Sequence, residues 1–379
     1  MNILFITHYS NLYGANRSLL LLMQGLKKRN INLLVFLPKD GPLIYELEKL
    51  NIPFCKIRFW AWMGVRDNSF ILKSIVRFIT NLLMLPILLV NALRFKPSLI
   101  YTNTSTTPVG MYLSLILRLP HIWHIRELGK LDYNLDYDLG KKYFYHFMLK
   151  SDAIICISEF VRRNLFKGNW DNVSVINNAV FADIDLIEIS KKGVAQKKKE
   201  FTFLMMSIIH PSKGIQDAIE ALEKVKKEFH DIKLLICGGN GDKKYREYLE
   251  RLVTKLDLSA NVVFEGFVKD PLEMYRISDA VLVCSRNEAW GRVAAEAMIF
   301  GKPVIGYKSG GTMEIITDKV SGLLYETVEE LVTCMKLVMN DREMANNLTS
   351  NAKSSALKKY SQLDYVEKIY QVISKLAKK

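Results

Sequence analysis

The chain has 379 residues, 49% of them hydrophobic and 24% charged, with 53 lysines and arginines against 39 aspartates and glutamates, a net charge of +14. That length suits two domains, and that composition excludes a disordered chain in favour of a globular one able to bury sizeable cores. The basic balance favours anionic partners (nucleic acid, an anionic membrane face or phosphorylated ligands) without choosing among them.

The opening MNILFITHYS has neither a basic leader nor a long apolar stretch, so it reads as a first strand over 2–7 and not as a secretory signal. A helical pattern over 16–29 and an apolar run over 32–37 follow. Residues 70–96, FILKSIVRFITNLLMLPILLVNALRFK, are the most apolar part of the chain. The cleanest run there, Phe78 to Leu93, falls short of the roughly 20 residues a membrane span needs, and it holds Thr80, Asn81, Pro86 and Asn91. Lys73, Arg77, Arg94 and Lys96 flank or punctuate it. Three readings are open: a partly buried helix of an α/β domain, a cationic amphipathic surface on a membrane interface, or a span.

Apolar runs at 98–103, 121–126 and 152–158 continue the alternation of strand and helix, which predicts a parallel sheet with helices on both faces. The lysine-rich EISKKGVAQKKKE over 188–200 interrupts it and reads as a linker. The alternation then restarts with runs at 201–207, 233–239, 261–267, 280–285 and 302–307. In a helix over 214–229, Ile215, Ala218, Ile219, Leu222, Val225 and Phe229 recur at helical spacing. The expected architecture is α/β, with two Rossmann-like parallel-sheet domains, 1–185 and 201–358, joined by a linker at 186–200. A last amphipathic helix, 359–379, packs back toward the N-terminal domain. Strand C-termini of both domains would face a central cleft. Cys55, Cys156, Cys237, Cys284 and Cys334 are scattered and form no C-x-x-C pair, so they read as buried reduced thiols of a cytosolic protein.

The stretch NEAWGRVAAEAMIFGKPVIG, 287–306, carries Glu288 in a loop after a strand and Glu296 about one turn into the helix that follows. Backbone N–H groups at Trp290, Gly291, Arg292 and Val293 open that helix, where the dipole favours anions. Two carboxylates beside such donors can hold the hydroxyls of a sugar or ribose, or can be solvated surface groups. Gly14, after the first strand, either lets backbone approach a ligand or makes a plain turn. His124 ends the strand at 121–126, where a lone histidine is usually structural. No H-E-x-x-H spacing and no clear D-x-D motif is present, so neither metal nor cofactor is expected.

Several ordered stretches resemble the retaining family 4 glycosyltransferases of GT-B fold, the glycosyl transferases group 1. They are SDAIICISEFVRRNL (151–165), VSVINNAV (173–180, with Asn178 at the family's asparagine), HPSKGIQDAIEAL (210–222), VVFEGFVKDPLEMYRISDAVLVCSRNEAWG (262–291) and GGTMEII (310–316). The resemblance covers most of the chain. It implies that Glu296 binds the donor's ribose, that Glu288 faces the transferred sugar, and that the backbone of Trp290, Gly291, Arg292 and Val293 touches sugar and diphosphate. Lys213 would hold the diphosphate, with Gly14 nearby, and His124 would lie near the donor sugar. Gly266 and Phe267 would lie near the base, and Gly310, Gly311 and Glu314 in the loop closing over the nucleotide. Asn16, Arg17, Arg126 and Glu127 would serve the acceptor. One position departs from the pattern: the family's arginine five residues before the lysine is Ile208 here, so Lys213 carries more of the charge, or Arg292 or Lys308 assists. The implied activity is hexosyl transfer from a nucleotide diphosphate sugar, with no metal and no covalent nucleophile. Basic charge, Trp60, Trp62 and the 70–96 stretch suggest a lipid-linked or growing saccharide acceptor at the inner face of the plasma membrane, in cell-surface polysaccharide or lipopolysaccharide synthesis. Nucleic acid is not an expected partner. An epimerase or phosphorylase of the same fold, or a non-catalytic carbohydrate-binding relative, are the rival readings.

Overall fold

The computed structural model describes residues 1–168, 170–183, 185–186, 189, 200–239, 241–268 and 270–377. The stretch expected to be a linker, 186–200, lies almost entirely outside them. The chain divides into two compact units, Met1–Ala182 with Tyr360–Lys379, and Asp183–Lys359.

In the first unit the strands are β1 (Asn2–Ile6), β2 (Asn32–Leu37), β3 (Phe54–Lys56), β4 (Met63–Val65), β5 (Leu99–Thr102), β6 (His121–Ile125), β7 (Leu135–Tyr137), β8 (Ala153–Cys156) and β9 (Val173–Val175). Seven of them form one sheet in the order β3-β2-β1-β5-β6-β8-β9, and every pairing in it is parallel. β4 and β7 make a separate antiparallel pair. The central strands are buried along their whole length because helices cover both faces, which is why they read as continuous apolar runs. One face packs on the helix Gly14–Lys27 and the C-terminal helix Gln362–Ala377, whose Tyr365, Val366, Ile369 and Ile373 join Leu19, Leu22 and Leu26 in a single core. Gly25 permits the close approach, since a Cβ there would collide with the side chain of Val366.

The second unit repeats the plan with β10 (Phe201–Met206), β11 (Ile232–Cys237), β12 (Val262–Gly266), β13 (Ala280–Val283), β14 (Val304–Tyr307) and β15 (Leu323–Tyr325). Their order is β12-β11-β10-β13-β14-β15, again all parallel. Strand order therefore reverses between β1 and β5 in one sheet and between β10 and β13 in the other. Loops leaving the C-terminal ends of strands at such a reversal diverge to opposite faces, and the crevice they leave is where open α/β sheets bind ligands.

The 70–96 stretch forms a helix, Phe70–Phe95, with Pro86 inside it and Lys96 closing it in the left-handed region. Its buried residues are Ser74, Asn81, Leu88 and Ala92, a narrow seam at roughly heptad spacing. Its C-terminal half, Leu88 and Ala92, packs into the apolar core, and its N-terminal half is held by polar bonds. Ser74 Oγ donates to Asp138 Oδ1 at 2.9 Å, and Arg77 Nε donates to Asp138 Oδ2 at 2.7 Å. Asn81 accepts from Trp60 N at 2.7 Å and donates to Trp60 O at 3.1 Å. With the polar residues turned inward, the apolar ones face out: Ile71, Leu72, Ile75, Leu82, Leu83 and Leu93 are among the exposed residues. The helix is partly buried, as expected: Leu88 and Ala92 join the core beside Leu4, Ile6 and Ile100, while the outward apolar side chains have no cover in this unit. Trp62 departs in the other direction. It is buried, stacked on Trp123 with ring centroids 5.5 Å apart, and its Nε1 donates to Ser105 O at 2.8 Å. Trp60 remains part exposed beneath the Arg58 guanidinium.

Candidate active site

In the second unit the functional candidates gather at the β10/β13 reversal. β10 runs into a short turn, Pro211–Lys213, then Gly214 at φ +62°, then the helix Ile215–Lys226. A Cβ on Gly214 would run into the carbonyl oxygen of Cys284 at the end of β13, so glycine lets the lysine turn rest on that strand. Lys213 Nζ reaches Glu288 Oε2 at 2.9 Å. Burial pushes the Glu288 carboxyl up, but the Lys213 charge and hydrogen bonds from Lys213 and Ser285 outweigh it, and the group sits below its ordinary range. Glu288 is therefore an ionised, acceptor-only group.

The loop bearing Glu288 is clasped from behind. Gly311 N donates to Glu288 O at 2.7 Å, and a Cβ on Gly310 or Gly311 would press on the backbone of 287–290. Gly291, at φ +99°, turns the chain into the helix Arg292–Ile299. The N-terminus of that helix points its amide dipoles at the region beside Glu288. Val293 follows Arg292 in its first turn, and Trp290 is buried just before it. Glu296 is 5% exposed, with Tyr275 Oη donating to Oε2 at 2.6 Å and Arg292 Nε donating to Oε1 at 2.8 Å. Both carboxylate oxygens are thus held in a fixed plane. Gly266, at φ +78°, ends β12 with open space around it, and Phe267 after it is exposed. Thr312 and Glu314 lie on the short helix Thr312–Ile315 after the glycine pair.

Ile208, in place of the family's arginine, is half-buried after β10. Of the two bases expected to assist, Arg292 is bonded to Glu296 and Lys308 to Glu326 at 2.6 Å. The structure adds Arg286, which the sequence reading passed over. It leaves β13 with its backbone N bonded to Ser212 O, pairs with Asp217 at 3.0 Å and lies over the Tyr307 ring. Its place in the quoted SRNE stretch was the available signal.

The first unit places its candidates at the ends of β1, β5 and β6. Gly14 begins the first helix. Asn16 is fully buried: it accepts from Thr7 Oγ1 at 2.7 Å and donates to Tyr9 O and Asn11 O, bracing the loop after β1. Arg17 Nε donates to Leu12 O at 2.9 Å. Arg126 is 6% exposed, and its guanidinium donates to Asn103 at 2.8 and 3.0 Å, to Asn178, and to Tyr365 Oη at 2.9 Å. Glu127 is buried, with Oε1 accepting from Thr104 Oγ1 and Ser105 N, both at 2.6 Å. Burial nevertheless raises its carboxyl to about 7, against those hydrogen bonds. Asn16, Arg126 and Glu127 are thus engaged in bracing the strand ends.

His124 differs from these. Its Nδ1 bonds to Tyr101 Oη, while its Nε2 is buried with no hydrogen-bond partner. Burial, and then the charge of Arg126, hold the ring well below the usual histidine range, so it is neutral at pH 7. A buried polar atom left unpaired costs about 1–3 kcal/mol, which a ligand group can recover. Among the described residues, no group of three or more His, Cys, Asp or Glu side chains could hold a metal ion.

Two doubly wound parallel sheets, with polar and charged side chains gathered where strand order reverses, define an α/β protein of the GT-B kind. Residues 13–183 match the model of Glycosyltransferase Family 4, and residues 187–355 that of Glycosyl transferases group 1. An uncharacterized glycosyltransferase of Methanocaldococcus jannaschii is 32% identical over 271 residues, 67% of this chain and 68% of that one. The chain belongs to the group 1, family 4 glycosyltransferases and is a glycosyl-transferring enzyme. Alpha-monoglucosyldiacylglycerol synthase of Streptococcus pneumoniae is 23% identical over 341 residues, 84% of this chain and 73% of that one. The Anabaena HepE structure in complex with UDP and glucose superposes with a TM-score of 0.80 at 24% identity, over 99% of both chains, a likeness of fold.

Proposed function

We propose that the enzyme is a hexosyltransferase that moves a sugar from a nucleotide diphosphate sugar to a hydroxyl of a lipid-linked or growing saccharide, with retention of anomeric configuration. The observation that carries this reading is the Lys213–Glu288 pair at the end of β13, beside the N-terminus of the helix Arg292–Ile299. A diphosphate leaving group needs positive potential aimed where its charge develops, and a lysine with a helix N-terminus supplies it without requiring a metal. Arg286 is a second cation within the same strand-end region. Glu288, ionised, accepts from sugar hydroxyls, and Glu296, its plane set by Tyr275 and Arg292, accepts from the ribose pair. His124 Nε2, buried and unpaired in the first unit, offers a neutral polar contact to a ligand hydroxyl. In the reaction the acceptor oxygen bonds to the anomeric carbon on the face the diphosphate leaves. The acceptor proton passes to the departing phosphate oxygen, so no protein nucleophile is needed.

Two features support an acceptor presented at the inner face of the plasma membrane. One is the uncovered apolar face of the helix Phe70–Phe95. The other is the flanking charge: six basic residues against one acidic between Arg58 and Lys96. The pneumococcal relative is itself named for synthesis of a glycolipid.

A thermal-shift screen of nucleotide sugars identifies the donor, since a ligand at 100 times its Kd raises stability by about 2.7 kcal/mol. Glu296→Ala is expected to weaken binding of that donor at least tenfold. An unchanged donor affinity would remove Glu296 from the ribose. Product analysis with and without acceptor separates transfer from epimerisation, and activity is expected to persist in chelator.

A further inference from the structure

Away from the strand-end sites, the first unit holds an open groove of about 670 Å³. It is bounded by the loop after β4, the first turn of the helix Phe70–Phe95, the segment after β6, β7, and the helices Gly140–Met148 and Glu159–Leu165. Phe70, Ile71, Leu128, Leu131, Tyr145 and Leu165 give it an apolar lining. Its charged members are mostly cationic: Arg66, Lys130 and Lys141 line it with one carboxylate, Asp136, which is paired to Lys130 at 2.8 Å. Arg66 and Lys141 are exposed at its rim, Lys141 over the Tyr145 ring.

We propose that this groove binds a single-chain anionic amphiphile, its hydrocarbon chain against the apolar lining and its phosphate headgroup at Arg66 and Lys141. Three observations select that occupant. The volume suits a small ligand, and the lining is apolar with few polar groups, as ligand pockets are. The cations sit at the mouth, so an anionic head can remain hydrated while its chain is buried. Finally, Ile71 both lines the groove and is exposed at the start of the uncovered helix face, so groove and face share an apolar residue. The segment after β6 links Arg126 and Glu127 to Leu128 and Lys130, so a headgroup held here sits one short loop from the strand ends. The inference rests on the lipid-linked acceptor reading only for the source of the amphiphile.

The probe is dodecyl phosphate below its critical micelle concentration, titrated calorimetrically into the full chain, with inorganic phosphate and dodecanol as single-feature controls. Saturable one-site binding at least tenfold tighter than either control is expected. Leu131→Trp, which fills the groove from an exposed position, and Ile71→Glu, which sets a carboxylate against the chain, should each weaken it at least tenfold with the melting temperature unchanged. Arg66→Ala with Lys141→Ala should abolish the preference for phosphate and leave dodecanol binding intact. Absence of saturable binding, or native-like groove variants that bind like wild type, overturns the proposal. Sedimentation with phosphatidylglycerol vesicles keeps the two readings apart. Vesicle binding without a saturable dodecyl phosphate site sinks the groove and leaves the membrane reading standing. The reverse result sinks the membrane reading and supports the groove.

Discussion

At Gly214 two requirements meet: a left-handed backbone at φ +62°, and no room for a Cβ above the carbonyl of Cys284. Gly214→Ala therefore carries both backbone strain and a clash, and an expected loss of about 2–3 kcal/mol in urea unfolding. Activity should fall with it, because the turn positions Lys213 against Glu288. Lys213→Ala keeps the glycine turn and removes the charge. The pair is only 16% and 23% exposed, so losing the lysine leaves the Glu288 carboxylate without its cation and should cost about 1–3 kcal/mol. Loss of the charge facing the diphosphate should lower kcat by about 10²–10³, the range seen when a single preorganised stabilising group is removed. If Lys213→Ala kept wild-type kcat, the diphosphate would have to be held elsewhere, and Arg286 would be the first place to look.

The helix Phe70–Phe95 shows how an element can be legible in extent while its orientation stays open. Its extent was legible from the apolar run. Its orientation was not, because hydrophobicity alone sends leucine and isoleucine inward. Here the N-terminal half of the docking seam is polar: Asp138 and the Trp60 backbone hold Ser74, Arg77 and Asn81, and those partners are distant in sequence, while Leu88 and Ala92 pack into the core. The apolar side is left to face outward, where an area of this extent marks an interaction surface. By length and composition the helix could cross a membrane, yet its seam is bonded along more than one turn to the unit that carries it, which favours lying on a bilayer. Leu82→Glu with Leu83→Glu should reduce sedimentation with phosphatidylglycerol vesicles at least tenfold. Both residues are exposed, so the melting temperature should hold. Equal sedimentation of variant and wild type would show that this face does not meet lipid.

Across the molecule, the two-sheet fold was legible because strands buried on both faces leave unmistakable apolar runs, and the second unit's candidate residues were easy to single out because Glu288, Gly291, Arg292 and Glu296 lie in one stretch. The first unit's polar residues were harder. Arg126 is braced by Tyr365, 239 positions away, a pairing no local pattern reveals. Buried titratable groups of this unit shape the acid response of the chain. His121 is fully buried, bonded to Thr102 and Ser151, and burial lowers it to about 3. His124 is lowered too, by burial and then by Arg126. Both stay neutral in the fold and charge only on unfolding, so below the ordinary histidine value of 6.5 the unfolded chain binds more protons and stability falls with pH. Each contributes about 1.4 kcal/mol per pH unit. Glu127 acts in the opposite sense. Raised from 4.5 to about 7, it is protonated more readily in the fold, so its penalty is absent below 4.5 and complete above 7. His8, lowered by burial to about 3, acts in the same sense as the other two histidines, so between 4.5 and 6.5 three buried histidines outweigh one glutamate, leaving a net loss of about 2.8 kcal/mol per pH unit on acidification. Glu127→Gln removes the opposing slope, so acidifying the variant from pH 6.5 to 5 should destabilise it by about one and a half times as much as wild type. Urea midpoints measured at half-unit intervals would show this, and parallel curves for the two proteins would mean that Glu127 titrates alike in the folded and unfolded chain.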